Sequence, residues 1–447
     1  MGNVHTSTVE APTTIKPGVG GVLERVAPHS TVRVVVLGSG FGGVSFVKSF
    51  IRSASKSLLD SVELIWVTRR NHHVFTPLLY QVASGLVDQH HVLDPLPHMK
   101  KGRVRVVVAE VLSIDLVGRV VTTDVGPVYY DYLVVALGST SSDFGIPGVA
   151  RHTLSLKSVQ DGEAIRNRVL SSFEKAACLE GGDPDRASLL TVVVVGGGAT
   201  GVELAGTMRD YTKLLAKRHG ITERETKVIL LEAAETLLPG VGGRLSEKCR
   251  RDLESAGIEV RLKARVVKVG EEGVHLSDGA LIRSSNVFWT AGVKPNPVVE
   301  TIPETLAPKR KGMLVVDAHL RVVGHPEVYA VGDNAWVEVG GGGAAAPLTA
   351  AVAVDEGIYA GAHLAHLLGG GQSDGGFVYR DKGTMLSLGR FSGLVKLPSG
   401  IILSGFAGWF VWRMVHLVSV ATARNRVGVM FDWTFSLLRR RLFARTD

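Results

Sequence analysis
Cysteine is nearly absent: Cys178 and Cys249 are the only two in 447 residues. Two thiols so far apart make neither a disulfide framework nor a C-x-x-C redox or metal motif, and both read as reduced thiols in a reducing compartment. No metal site is expected. Also missing is any uncharged apolar run of ~18 residues, the length that carries a helix across a bilayer. Acidic residues are in deficit, 42 against 50 lysines and arginines, for a net charge of +8. The excess gathers at one end, where seven arginines but only two aspartates lie from Arg413 onward. No nucleic-acid module accompanies them, so no nucleic acid is expected, and an anionic membrane surface is the partner that this charge fits. With 45% hydrophobic and 21% charged residues the chain is globular, and its length fits about three domains.

What is abundant is glycine, 53 residues, and two clusters of it organise the chain. Val32 to Leu37 is a valine-rich apolar run broken only by Arg33, the pattern of a strand buried on both faces of a parallel sheet. Gly38, Gly40 and Gly43 follow as G-x-G-x-x-G, where strand should pass into helix. The first glycine permits the tight turn, the second lets backbone approach a pyrophosphate, and the third lets the helix pack close. The helix N-terminus then points its amides at the phosphates. The pattern restarts with the strand Thr191 to Val195 and Gly196-Gly197-Gly198-Ala199-Thr200-Gly201.

Ahead of the first unit, residues 1–30 are polar, with Pro12, Pro17 and Pro28, and read as a flexible arm. Gly2 formally fits the N-myristoylation pattern, which we read as a chance match. Each unit then needs a second strand ending in a carboxylate for the ribose. Lys227 to Leu231 ends in Glu232, which accepts from both ribose hydroxyls and repels a 2′-phosphate, favouring NADH over NADPH. Val62 to Val67 ends instead in Thr68-Arg69, with no carboxylate. Both glycine-to-strand spacings exceed the ~20 residues of the simplest unit, which calls for longer helices or inserted loops. Further strands are expected at Val104 to Val108, Tyr132 to Leu137 and Asn286 to Trp289, and a helix from Ser158 to about Glu180. A short strand ending in Gly332-Asp333 has the form that holds the ribityl hydroxyls of a flavin.

The combination resembles the type II NADH dehydrogenases, single-subunit and non-pumping members of the two-dinucleotide-binding-domain flavoproteins. The marks are Phe75-Thr76-Pro77-Leu78-Leu79-Tyr80-Gln81, Gly196 to Gly206 with Glu203 inside it, Trp289-Thr290-Ala291-Gly292-Val293, Val331-Gly332-Asp333 and Tyr379-Arg380-Asp381-Lys382-Gly383. The resemblance implies an FAD held by Gly38, Ser39, Gly40, Phe41, Gly42, Gly43, Thr68, Arg69, Thr76, Val111, Gly138, Asp333, Thr349 and Ala350. It implies NADH on Gly196, Gly198, Ala199, Thr200, Gly201, Glu232, Ala291 and Gly292. Glu203 would lie near the flavin and pair with Lys382. Where the family carries two glutamines on its quinone-side helix, this chain has Ala351 and Asp355. Asp355 is therefore expected in a partly desolvated pocket beside the flavin, with its carboxyl taking the amide's place toward a quinone.

The tail from Leu403 to Ala423 is apolar nearly all round, interrupted by Arg413 and His416 at i, i+3; a second segment sets Phe431, Phe435, Leu438 and Leu442 on one stripe before Arg439, Arg440 and Arg441. Tryptophan and arginine beside an apolar stripe suit helices lying in a membrane interface. The other reading packs them on the core or on a second copy in a homodimer. The expected architecture is α/β: residues 1–30 an arm, 31–155 and 294–375 an FAD-binding domain in two parts, 156–293 an inserted NADH-binding domain, and 376–447 a helical membrane-associating region. The expected function is oxidation of NADH through FAD with reduction of a membrane quinone, at the cytoplasmic face of a plasma membrane or on an organellar inner membrane. Two other readings are a flavoprotein with another acceptor (oxygen, a soluble quinone or a protein carrier) and a membrane flavoprotein that senses or scaffolds. A sulfide:quinone oxidoreductase is disfavoured, because Cys178 and Cys249 lie outside the flavin motifs.

Overall fold
The computed structural model describes residues 31–96, 104–340, 343–371 and 375–437. The N-terminal arm with Gly2, and Leu438, Leu442 and the arginines beyond Phe435, lie outside the described residues. Strand Val32–Leu37 is the centre of the first sheet, with Val34, Val35, Val36 and Leu37 fully buried. It is flanked in parallel by Val62–Thr68 and Tyr132–Val135. Val104–Val108 extends one edge, and His325–Ala330 and Arg321–Val322 extend the other, giving six strands. The chain therefore returns to this sheet near its C-terminal third.

Between the two visits lies a second sheet, in the order Leu154–Ser155, Asn286–Trp289, Thr191–Val195, Lys227–Leu231, Glu259–Arg261. The chain leaves and re-enters through an antiparallel pair, Ser139–Ser141 with Val293–Pro295. The helix leading into the second sheet, Val159–Ala177, starts at a capping box in which Ser158 and Asp161 bond each other's amides. The long glycine-to-carboxylate spacings are explained by helices: a second short helix, Lys56–Ser61, follows Phe41–Ser53, and the helix after the other turn, Ala199–Arg218, has 20 residues.

The C-terminal region differs from the purely helical expectation. It opens with a three-stranded antiparallel sheet, Thr384–Gly389, Ser392–Lys396 and Ile402–Ser404, before helices Gly405–Ser419 and Ala423–Leu437. These strands are short and joined by tight turns (Phe391 has φ +59°, Gly400 φ +88°), which hides their periodicity. The sheet lies against the Ala199–Arg218 helix so closely that a Cβ on Gly206 would come within 2.5 Å of the Leu388 carbonyl oxygen. Among the described residues no helix is long and apolar enough to cross a membrane.

The tightest packing in the first unit joins helix Phe41–Ser53 to helix Ala350–Leu368. Gly357 and Gly361, one turn apart, face the carbonyls of Gly42 and Phe46, and a Cβ on either would strike them. Ser49 adds a hydrogen bond to the Ile358 carbonyl at 2.7 Å. Overpacking such a contact costs about 1–3 kcal/mol. Gly357→Ala is therefore expected to lower stability by that amount, read as a lower urea midpoint at unchanged m-value; an unmoved midpoint would show that the helices separate freely.

Candidate active site
The two glycine turns are built alike. Gly38 and Gly196 each donate their amide to the end of the neighbouring strand, to Val67 and Leu231, both at 2.8 Å. Both have positive φ, +99° and +113°. A Cβ on Gly38 would strike the Ala136 carbonyl, and one on Gly196 would lie 2.7 Å from the Ala291 nitrogen. Gly43 and Gly201 press against the carbonyls of Gly38 and Gly196. Gly40 and Gly198, by contrast, face open space, with nothing within 4 Å of a Cβ. Neither following helix has a side-chain cap. Each turn thus presents uncapped amides and the positive end of a helix to a cradle open at its middle glycine, which is what a pyrophosphate fits.

Around the first turn, Phe41 packs edge-on against Phe75 and buried His73. Burial holds His73 below its usual range, so the neutral ring donates from Nδ1 to the Ser39 carbonyl at 2.8 Å. Thr68 is turned inward and buried, its hydroxyl 2.7 Å from Ser39 Oγ and donating to the Arg70 carbonyl at 3.0 Å. It supports Ser39 rather than presenting itself to the turn. Arg69 is exposed, 3.7 Å from Glu110. Thr76 is exposed at the head of a short turn, and Val111 is buried at the start of Val111–Asp115. Gly138 (φ +70°) faces open space and exchanges two hydrogen bonds with buried Asn334, at 3.0 and 2.8 Å. Asp333 beside it accepts from Ser139 Oγ at 2.5 Å. Thr349 caps the helix that begins at Ala350, accepting the Val352 amide.

At the second turn, Ala199 and Thr200 are exposed on the first helical turn. Glu232 accepts the amides of Gly197 at 2.6 Å and Ala234 at 2.7 Å, which fixes its carboxylate beside the cradle. Ala291 lies against Gly196, and Gly292 has φ +69° with the Phe144 ring where a Cβ would stand.

The expected pair of Glu203 with Lys382 is not formed. Lys382 Nζ bonds Asp355 Oδ1 at 2.6 Å, with side chains 53% and 31% exposed. Asp355 is therefore a partly buried carboxylate in an ion pair, rather than one left unpaired. The reason is topological: Lys382 lies before the Thr384–Gly389 strand and reaches the Ala350–Leu368 helix, whereas Glu203 is enclosed beneath that strand. Glu203 accepts the Ser387 amide at 3.0 Å. The Trp412 indole N–H lies beside its carboxyl, short of good hydrogen-bond geometry. Burial pushes Glu203 up to about 8, so it holds a proton at neutral pH.

Two groups escaped the sequence reading. Glu356 is buried, accepts the Gly332 amide at 2.5 Å and is pushed up to about 8 by burial, with Asp333 and Asp355 nearby. Its signal was present: it is a carboxylate on the buried stripe Val352, Ala353, Gly357, Ala360. Gln81 joins the tail to the core, accepting from Trp433 Nε1 at 2.7 Å and donating to buried Tyr80 at 3.0 Å.

The tail corrects a further expectation. Arg413 and His416 share a face, but it points inward. The Arg413 guanidinium is clamped between Trp409 and Trp433, 4.2 and 4.4 Å from the ring centres, and His416 stacks on Trp412 at 3.9 Å. The outward face is apolar: Phe406, Phe410, Met414 and Val418 on one helix, Phe431 and Phe435 on the next, all exposed.

The profile of the pyridine nucleotide-disulphide oxidoreductases matches residues 32–357, and that of the NDH2 C-terminal domain matches residues 382–446. The type II NADH:quinone oxidoreductase Ndh of Mycobacterium tuberculosis is 35% identical over 432 residues, covering 93% of this chain and 90% of that protein. A mitochondrial internal alternative NAD(P)H-ubiquinone oxidoreductase A1 of Solanum tuberosum is 30% identical over 95% of this chain and 90% of its own length. The fold matches a solved structure of NDH2 from Plasmodium falciparum in complex with NADH, with a TM-score of 0.82 at 19% identity, covering 93% of this chain and 100% of that one.

The buried carboxyls have a consequence for stability. The ordinary value for glutamate is 4.5, and the folded protein keeps the Glu356 and Glu203 protons to about 8. The folded state therefore binds more protons than the unfolded chain between those values, and stability falls as the pH rises through that window. Glu356→Gln is expected to flatten the decline by an amount of the order of a few kcal/mol, read from urea midpoints at the two ends of the window. A variant with the parent's slope would show that Glu356 is ionised in the folded protein.

Proposed function
Since the chain belongs to the type II NADH:quinone oxidoreductases, a branch of the pyridine nucleotide-disulphide oxidoreductases, we propose that it oxidises NADH on an FAD and delivers the electrons to quinone at a membrane surface. The observation that carries this is the duplicated cradle: two uncapped helix ends, each open at its middle glycine, each followed by its own polar ribose side. The residues fit the two dinucleotides. Gly38 to Gly43 and Gly138 would hold the FAD pyrophosphate, Asp333 its ribityl chain, and Ser39, backed by Thr68, its ribose. Gly196 to Gly201 hold the NADH pyrophosphate, Glu232 its ribose, and Ala291 and Gly292 the nicotinamide end. An FAD held there would supply the redox chemistry, a hydride acceptor for NADH and a two-electron donor for the acceptor.

The chain's own residues position and protonate. Residues 156–293 form the NADH-binding part and the two flanking segments the FAD-binding part. Backbone amides of the two turns neutralise phosphate charge, and the closely packed helices exclude water from the reacting ends. Glu203, kept neutral by burial, is the proton donor nearest the flavin side of the second helix. The Lys382–Asp355 pair guards the quinone side, where Asp355 acts through its ion pair rather than as a free acid. The exposed apolar face of Gly405–Ser419 and Ala423–Leu437 lies in the membrane interface. This makes the protein a peripheral one, on the face where NADH is produced.

Stopped-flow flavin bleaching tests the nucleotide assignment. NADH is expected to be about tenfold or more as efficient as NADPH, a difference of ~1.4 kcal/mol, and Glu232→Gln to narrow the gap; equal efficiencies in the parent would remove Glu232 from the ribose. Offering quinone and oxygen separately to the reduced protein then identifies the acceptor, and preference for oxygen would sink the quinone reading. The membrane assignment predicts that Phe410→Asp with Val418→Asp releases the protein from anionic vesicles in a sedimentation assay while NADH still bleaches the flavin. Removing Phe431 onward is a poorer test, because Trp433 and Asp432 tie that helix to Gln81 and His91.

A further inference from the structure
The second glycine helix carries a polar stripe that the roles above leave unused. Glu203, Thr207 and Asp210 recur at i, i+4 and i+7, one face of a helix. Thr207 is buried, whereas Asp210 stands at the edge of the fold and accepts the amide of exposed Arg390 at 2.6 Å. Between this stripe, the Thr384–Gly389 strand and the tail helices lies a cavity of about 20 Å³. Its polar lining includes Gln81, Thr207, Asp210 and Ser387, together with two cations, Arg390 and Arg413. A polar void of that size holds about one water molecule. Ser387 joins the cavity to Glu203, since it lines the one and donates its amide to the other.

The chemistry requires such a connection. Reduction of a quinone to a quinol takes two electrons and two protons. NADH supplies both electrons and one hydrogen nucleus as hydride, so the balanced reaction, NADH + H⁺ + quinone → NAD⁺ + quinol, draws one proton from solvent per turnover. Two other titratable groups, Tyr80 and Cys249, lie near Glu203. Burial pushes Tyr80 well above its ordinary range and Cys249 to about 12, so both keep their protons at neutral pH.

We propose that the Asp210–Thr207–Glu203 stripe, with a water in the adjoining cavity, is the proton entrance of the enzyme. Asp210 takes a proton from solvent, the water and the Thr207 hydroxyl pass it inward, and Glu203 gives its own proton to the quinol oxygen and is refilled from behind. Asp210 and Thr207 touch no reacting atom in this scheme; they act through Glu203. The assignment rests on the quinone reading above.

The test uses FAD-loaded protein and two readouts. The first is the rate at which the infrared band of the Glu203 carboxyl shifts in D₂O without NADH or quinone; Glu203→Gln identifies the band by its loss. The second is proton uptake, followed with an indicator dye while a short-chain quinone reoxidises the reduced protein. Thr207→Val and Asp210→Asn are expected to slow both by about tenfold or more, with flavin bleaching by NADH changed by no more than about twofold. Thr207→Ser, which keeps the hydroxyl, is expected to exchange at the parent rate, and a small diffusible acid to restore Asp210→Asn. Parent-rate exchange in both Thr207→Val and Asp210→Asn overturns the proposal, as does equal slowing of bleaching and uptake, or slowing in Thr207→Ser as large as in Thr207→Val. Because infrared exchange needs no quinone, it judges the route even where the parent proves to reduce none.

Discussion
The close crossing of helices Phe41–Ser53 and Ala350–Leu368 is the contact on which the site depends. Glycines at 357 and 361 let one backbone lie against the carbonyls of Gly42 and Phe46. That approach joins segments some 300 residues apart, and it sets the N-terminus of the second helix beside the first glycine turn. Gly332-Asp333, held by Glu356 from that helix, is thereby placed next to Gly138 and Ser139. A side chain at either glycine would separate the helices and open the site along with them. Dispersion at such short range is weak per atom but summed over a whole helix face.

Electrostatics divides the carboxyls of the site into two kinds. Glu232 and Asp333 are satisfied by amide or hydroxyl donors at the rims of the cradles, where they can also meet sugar hydroxyls. Glu203 and Glu356 are enclosed with one amide each, and burial keeps them protonated near neutrality. The first kind is partly exposed and the second kind holds its protons. Asp355, whose charge state the sequence left open, belongs to neither kind, because it is paired with Lys382.

The tail repeats this division with apolar groups. One face of its helices is fastened inward by Arg413 between two indoles, by Trp433 on Gln81 and by Asp432 on His91. The opposite face is left as exposed phenylalanine, methionine and valine. A contiguous exposed apolar surface of this kind marks an interaction site. The inward face touches Tyr80 and Ser387, both next to Glu203, so the element with the exposed apolar face and the proton-holding carboxyl share one packing unit.

Local pattern was enough for the strands Val32–Leu37, Thr191–Val195 and Lys227–Leu231, for both glycine turns and for the carboxylate at Glu232, because each is specified within a dozen residues by β-branching, chirality and backbone sterics. The short C-terminal sheet was not legible, since strands of three to six residues between turns carry too little periodicity. Nor were the partners of Glu203, Lys382 and Asp355, although every one of those residues was singled out. Which cation meets which carboxylate depends on how helix Ala350–Leu368 and the strand after Lys382 lie in space, and a few ångströms decide between an ion pair and an isolated acid. The same holds for the tail, whose residues announce an amphipathic helix while only packing decides that Arg413 turns inward and Phe410 outward. Sequence determined which chemical groups the protein possesses and which local turns they occupy; tertiary structure alone decided which are kept from water, because burial is a property of everything that surrounds a residue.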